Sequence, residues 1–187
     1  NFDYYETKHY YLFNVLRTYI DFNKVNNVLE IGGGSGHFLT LITNYHSNIK
    51  SYINIDLPET IIFSICFTMN FFPNEDICLP NEANTENILK NKFTFLTPNQ
   101  IDFIKDETVD LSINTASFAE MTKKDIEIYF ELIQRVSNNG GYFLNHNRVH
   151  KNPEGKDEEI NKNLEPNFFS EYPYKNNEVI IYDICRL

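Results

Sequence analysis

The chain has 187 residues, 42% of them hydrophobic, and a formal net charge of −10. This length suits one α/β domain with its own core better than two domains. The acidic balance argues against DNA or RNA as a partner, and no apolar run reaches the roughly 18 residues of a membrane span. Three cysteines without a C-x-x-C pair argue against a disulfide framework and a zinc site, so we expect a cytoplasmic protein without a metal.

The first half of the chain alternates predicted helices and strands. Residues 4–22 place apolar and aromatic side chains at helical spacing and predict a helix, part of an N-terminal helical cover over residues 1–25. "VLEIGG" predicts a strand, residues 37–45 a helix and "SYINIDL" a second strand. Pro58 is expected to open the next helix, which continues to Phe72, and a polar stretch without a predicted element follows.

The second half continues the alternation. "KFTFLT" and "TVDLSINTASF" predict two strands, "KKDIEIYFELIQRVS" an amphipathic helix, residues 138–141 a turn and "GGYFLNHN" a fifth strand. Residues 151–177 are charged and aperiodic and suggest a lid or long loop before a final strand in "EVIIYDICRL". We therefore expect a single α/β domain over residues 1–187, with a mostly parallel sheet, helices on both faces and ligands at the carboxyl ends of the strands.

The glycine-rich stretch "NNVLEIGGGSGHFLTLI" carries the most specific pattern in the chain. A strand, a glycine turn and a helix bind either dinucleotides, through G-x-G-x-x-G, or S-adenosylmethionine, through an acid followed by G-x-G-x-G. The dinucleotide pattern fails in both possible registers, because its third glycine is replaced by His37 or Leu39. The second pattern is complete in Glu30, Gly32, Gly34 and Gly36, with Gly33 between them.

Asp56 ends the second predicted strand, twenty positions after Gly36. An acid at this distance commonly accepts the ribose hydroxyls of an adenosine-type ligand, and this feature is shared by both ligand classes. Glu30 is positioned to meet the ammonium group of the methionine part, directly or through water. The competing structural roles are a loop-bracing carboxylate for Glu30 and a helix cap for Asp56.

Five phrases together resemble the successive motifs of class I S-adenosylmethionine-dependent methyltransferases: "VLEIGGGSGHF", "YINIDLPET", "FLTPNQ", "NTASFAEMT" and "GGYFLNHNR". "DLPET", "NTASFAEM" and "GGYFLNHNR" further resemble the sugar O-methyltransferase family of bacterial polysaccharide biosynthesis. This resemblance implies a Rossmann-like methyltransferase fold with an antiparallel C-terminal strand. It also implies S-adenosyl-L-methionine as cofactor, S-adenosyl-L-homocysteine as product, and a saccharide or sugar nucleotide as acceptor.

The same resemblance assigns roles to further residues. Asp56 and Leu57 would lie at the ribose, the "LTPNQ" turn would border the adenine, and Asn114 would lie near the sulfonium. The turn has no acidic residue, so Gln100 or a backbone amide would have to recognise the adenine. The expected cofactor-binding residues are Glu30, Gly32, Gly33, Gly34, Gly36, Asp56, Leu57, Thr97, Asn99, Gln100 and Asn114.

Two residues at predicted strand ends are the candidate catalytic bases, His146 after "GGYFLN" and Glu120 in "SFAEM". A sugar hydroxyl is a poor nucleophile while it keeps its proton, and histidine needs little tuning to act near neutral pH. A hydrogen bond to a loop carbonyl for His146 and a capping role for Glu120 compete with catalysis. His37, at the mouth of the glycine loop, is a weaker candidate, and Arg148 suits an anionic sugar or an exposed ion pair.

Three other functions stay open at this point. The acceptor can be another small metabolite, or the domain can bind S-adenosylmethionine without catalysis. A nicotinamide-dependent oxidoreductase is disfavoured by His37 and Leu39. The sequence names neither the sugar, nor its hydroxyl, nor the oligomeric state.

Overall fold

One parallel sheet forms the centre of the structure, a computed structural model that describes residues 4–149 and 166–175, with side chains from residue 7 onward. Its strands are β1 Asn27–Ile31, β2 Ser51–Ile55, β3 Ile77–Cys78, β4 Phe93–Leu96, β5 Val109–Thr115 and β6 Ser137–His146. They lie in the order β3-β4-β2-β1-β5-β6, and every neighbouring pair is parallel. After β1 the chain first builds one side of the sheet and then crosses to the other, so a crevice forms at the carboxyl ends of β1 and β5.

Helices cover both faces of this sheet. The helices α1 Tyr4–Tyr19, α2 His37–Tyr45 and α3 Ile61–Phe71 bury apolar side chains in one core, together with residues such as Val28 and Tyr52 of the strands. The helix α4 Lys123–Val136 packs on the opposite face in a second core, together with Leu29 and Ile53. Successive side chains of β1 and β2 thus point to opposite faces of the sheet and belong to different cores. The predicted Rossmann-like architecture is confirmed.

Three local predictions were wrong. The third helix begins at Ile61 rather than Pro58, because residues 58–60 form a turn in which the Asp56 carboxylate accepts the Thr60 hydroxyl at 2.6 Å. The stretch predicted to lack an element contains β3, whose two residues are too short to show a period. No separate turn divides α4 from the next strand, since β6 begins at Ser137, directly after the helix.

The described part of the predicted lid, residues 166–175, lies against α4. Tyr172 stacks on Phe130 with 5.4 Å between ring centroids, and Tyr174 meets the same ring edge-on at 5.1 Å. The rest of the predicted lid and the predicted antiparallel C-terminal strand lie mostly outside the described residues. Within the described residues, no helix combines the length and apolar character that crossing a membrane requires.

Candidate active site

The glycine loop between β1 and α2 is a tight turn in which Gly32, Gly34 and Gly36 have positive φ values of 70°, 55° and 80°. This backbone conformation favours glycine over residues with a Cβ. A Cβ added at Gly32 would lie 2.4 Å from the side chain of Ser117, whereas one added at Gly34 would meet nothing within 4 Å. The loop is therefore packed from below at Gly32 and open to a ligand at Gly34.

Asp56 lies beside this loop, immediately after β2. Its carboxylate accepts the Gly34 N–H at 2.7 Å, the Leu57 N–H at 2.8 Å and the Thr60 hydroxyl at 2.6 Å. An ionised carboxylate offers about four acceptor sites, so capacity remains for a ligand hydroxyl. Leu57, the next residue, exposes 56% of its surface beside this carboxylate.

Glu30 lies below the loop and is almost completely buried. The hydroxyl of Tyr52 donates a hydrogen bond to its Oε2 atom at 2.9 Å. Burial raises the pKa of Glu30 to about 7; the Tyr52 hydrogen bond opposes this increase, and the nearby charge of Asp56 adds to it. Glu30 is therefore a buried carboxyl with a pKa near neutral pH, and Tyr52 of the neighbouring strand β2 holds it in place through a hydrogen bond.

Asn54 is a site residue that the sequence interpretation missed. It is paired with Glu30 in the parallel register of β1 and β2, and its side chain is fully buried. Neither atom of its amide has a hydrogen-bond partner among the described residues, and a Cβ added at Gly33 would lie 2.6 Å from its Oδ1. The alternation of Tyr52, Asn54 and Asp56 was the available signal, since it puts these three polar side chains on one face.

Asn114 ends β5 and holds the other side of the crevice together. Its amide donates to the Ile31 carbonyl at 3.0 Å and to Ser117, while its Oδ1 accepts from Asn147 at 2.7 Å and from the Phe118 N–H at 3.3 Å. The side chain thus ties β1, the turn after β5 and the end of β6 into one unit. Ser117 and Asn147 belong to this network and were not singled out from the sequence.

The "LTPNQ" turn follows β4, the strand that pairs with β2 in the sheet. Thr97 and Gln100 form a capping box for a short 3₁₀ helix, Pro98–Phe103, in which the Thr97 N–H donates to Gln100 at 2.9 Å. The Gln100 amide also donates to the Pro80 carbonyl at 2.7 Å. Gln100 therefore uses both polar ends within the protein, while Asn99 lies exposed on the turn.

His146 ends β6, beside Thr115 of β5, and its carbonyl accepts the Ala116 N–H at 2.8 Å. Its half-buried ring has an Nδ1 atom without a hydrogen-bond partner among the described residues. Burial and then the charge of Lys8 lower the pKa of His146, so the imidazole is neutral at pH 7 and able to accept a proton.

The other two candidates differ in their surroundings. Glu120 is the exposed last residue of a 3₁₀ turn, Ser117–Glu120, after β5, in which Phe118 and Ala119 are buried. His37 begins α2, shares a hydrogen bond with the Ser35 hydroxyl and packs on Phe67 with 4.3 Å between ring centroids. In the described part of the chain, no group of three or more His, Cys, Asp or Glu side chains is arranged to hold a metal ion.

The fold is Rossmann-like, with a glycine turn after the first strand and an acid after the second, and its neighbours among solved structures include methyltransferases. A protein of Pyrococcus horikoshii OT3 superposes with a TM-score of 0.56 at 20% identity, covering 77% of this chain and 55% of its own. An O-methyltransferase family protein from Burkholderia thailandensis gives 0.52 at 14% identity, over 74% of this chain and 38% of its own.

Curated proteins add a short sequence match. O-methyltransferase 11 of Lophophora williamsii is 37% identical over 57 residues, which is 30% of this chain and 14% of that protein. O-methyltransferase 16 of the same plant is 40% identical over 48 residues, or 26% and 13% of the two chains. The matched segment is thus about one seventh of the length of these relatives, and no family model matches the chain.

Proposed function

We propose that the protein is an S-adenosylmethionine-dependent O-methyltransferase that methylates a sugar hydroxyl. The observation that carries the proposal is the contact between the open glycine loop and the acid after β2, where the Gly34 N–H and Asp56 lie 2.7 Å apart. Support for an O-methyl acceptor comes from the names of the relatives. Support for a saccharide comes from "DLPET", "NTASFAEM" and "GGYFLNHNR".

The residues present fit the cofactor. The open side of Gly34 leaves room for close approach to bare backbone, and Asp56 offers acceptor capacity for ribose hydroxyls. Glu30 offers a carboxyl below the loop for an ammonium group, and exposed Leu57 offers an apolar surface next to the ribose site. When bound, S-adenosylmethionine supplies an activated methyl group, so the main task of the protein is to position the acceptor.

Asn114 and Gln100 serve this site indirectly in the proposal. Because the amide of Asn114 is used within the protein, its role is to fix the ends of β1 and β5. Gln100 shapes the "LTPNQ" turn in the same way, and the Thr97 hydroxyl donates to Asn99 and, at 3.0 Å, to Gln100. An adenine would therefore be bordered by the Asn99 amide N–H and by backbone groups of the turn, with Thr97 holding Asn99 in place.

His146 is the proposed base. It is neutral at pH 7 and lies at the strand end beside the crevice, where it would take the proton of the acceptor hydroxyl. Exchange of His146 for Gln should lower kcat by about 10² to 10⁴-fold, the usual contribution of a positioned base. An equal loss in Glu120→Gln, with His146→Gln unaffected, would assign the base to Glu120 instead.

Isothermal titration with S-adenosylmethionine, S-adenosylhomocysteine and NAD tests the cofactor first. We expect the two sulfur ligands to bind, NAD not to bind, and Asp56→Ala to lose binding. Asp76→Ala is the matched control, because Asp76 precedes β3 at the opposite edge of the sheet. Binding of NAD, or binding that survives in Asp56→Ala, would contradict the proposal.

The acceptor is tested by the release of S-adenosylhomocysteine with panels of sugars, sugar nucleotides and other hydroxyl-bearing metabolites. The second candidate is another small metabolite as acceptor, and the names of the matching O-methyltransferases specify only transfer to oxygen. Turnover with sugars supports the first candidate, and turnover with the other metabolites alone supports the second. Cofactor binding without turnover on any panel, in the full-length protein, would instead support a non-catalytic binding domain.

A further inference from the structure

Basic side chains converge at the carboxyl edge of the sheet, next to the glycine loop. His37 begins α2 directly after this loop, while His146 ends β6 and Arg148 follows two residues later. His9 of α1 stacks on His37 with ring centroids 6.2 Å apart and an angle of 11° between the planes. This contact brings the N-terminal half of α1, including Lys8, to the same edge.

This basic cluster (Lys8, His9, His37, His146 and Arg148) contains two cations, Lys8 and Arg148. Neither forms an ion pair within the part of the chain that the structure describes. Burial lowers the pKa of Lys8, and the like charge of Arg148 lowers it further, so the two cations lie close enough to repel each other. The chain as a whole has 26 acidic and 16 basic side chains, yet these five basic residues lie at one edge of the sheet.

Two buried nitrogen atoms in the basic cluster also lack partners. The Nδ1 atoms of His9 and His146 are inaccessible to solvent and form no hydrogen bond with the described residues. An incoming anion would relieve the repulsion between Lys8 and Arg148 and accept charge-assisted hydrogen bonds from both.

We propose that Lys8 and Arg148, together with the three histidines of the basic cluster, form a subsite for an oxyanion of the acceptor, a carboxylate or a phosphate group. The assignment to the acceptor rests on the proposed function and narrows it to acidic sugars, sugar phosphates or sugar nucleotides. The carboxylate of the methyl donor is also an oxyanion and would suit the same subsite. An experiment therefore has to separate the two sources.

Inorganic phosphate and acetate are suitable probes, titrated into the protein at constant ionic strength while the imidazole C–H signals are followed by NMR. The signals of His9, His37 and His146 should shift. His46 provides an internal reference, because it caps the far end of α2 and stacks on Phe22 with 4.1 Å between centroids. Equal movement of the His46 signal would show a general salt effect and overturn the subsite.

Variants identify the residues that bind the probe. Lys8→Gln and Arg148→Gln should each weaken the apparent affinity for phosphate by about tenfold, the usual effect of one hydrogen bond to a charged group. Lys8→Arg keeps the positive charge and should therefore retain phosphate binding, even if Lys8→Gln loses phosphate binding because it unfolds. Lys50→Gln, just before β2 at the opposite edge, is the matched control and should change nothing. Unchanged affinity in both glutamine variants would overturn the proposal.

Repeating the titration with saturating S-adenosylhomocysteine separates the two sources of the oxyanion. Histidine shifts that persist support an acceptor subsite, whereas their loss would assign the subsite to the methionine carboxylate and overturn the proposal. The phosphate titration itself needs no cofactor. If S-adenosylhomocysteine fails to bind, the proposed function fails, but the phosphate shifts still report on the basic cluster.

Discussion

Replacement of Glu30 by glutamine should remove a specific pH dependence of stability. The pKa of Glu30 is raised from 4.5 to about 7 in the folded protein, mainly by burial. Between these values the folded state binds the proton and the unfolded state does not, so stability falls as the pH rises. Glutamine resembles the protonated carboxyl and can still accept the Tyr52 hydrogen bond, but it has no proton to lose.

The size of the effect follows from the two pKa values. At pH 5 the folded carboxyl is protonated, and the unfolded one is already mostly ionised. At pH 8 both states are mostly ionised, and the folded state bears nearly the full cost of a buried charge. Linkage gives a loss of about 2.5 kcal/mol in the free energy of unfolding of the wild type between these pH values, which the variant should lack.

Urea denaturation at pH 5, 6, 7 and 8 measures this difference. Other groups titrate in the same range, so the informative quantity is the wild-type free energy of unfolding minus that of Glu30→Gln at each pH. Glu131→Gln, at an exposed position on α4, is the matched control and should leave the pH profile of the wild type unchanged. A Glu30→Gln profile parallel to that of the wild type would refute the reasoning.

Three further predictions concern the same region. His9→Gln should reduce the loss of stability as the pH falls from 6.5 towards 4 in urea denaturation, because burial lowers the pKa of His9 to about 4 and the unfolded chain binds the proton first. Gly33→Ala should cost about 1–3 kcal/mol by overpacking against Asn54, and a smaller cost in an Asn54→Ala background would reveal the coupling in a double-mutant cycle. Gln100→Ala should lower the free energy of unfolding by about 1 kcal/mol through loss of the capping box, whereas Asp102→Ala, at an exposed position of the same 3₁₀ helix, should cost under about 0.5 kcal/mol; equal costs would contradict the capping role.

The parts of the candidate site that the sequence indicated depend on local pattern. The acid and glycines of residues 30–36 and the spacing to Asp56 indicated a ligand loop, and the structure brings Asp56 and Gly34 into contact. Helix α2 was predicted with its observed bounds, because an apolar period follows directly on the glycine turn. These features need only neighbours in the chain and the general geometry of a strand, a turn and a helix.

The features that the sequence did not reveal depend on register and on long-range packing. Pairing of Glu30 with Asn54 is fixed by the alignment of β1 and β2, and a shift of one residue would place Asn54 on the other face. Contact of His9 with His37 depends on how α1 crosses α2. Such contacts join residues more than twenty positions apart, and helical or strand periodicity carries no information about them.

The polar wedge of Glu30, Tyr52 and Asn54 connects stability with function. A buried carboxyl of raised pKa and a buried amide without a hydrogen-bond partner among the described residues both cost folding free energy in an otherwise apolar core. Aliphatic residues of similar size would fill the same strand positions at lower cost. All three lie directly below the glycine loop, where a ligand with an ammonium group would need a carboxyl and amide partners. This local conflict with good packing supports the proposed ligand loop over a purely structural turn.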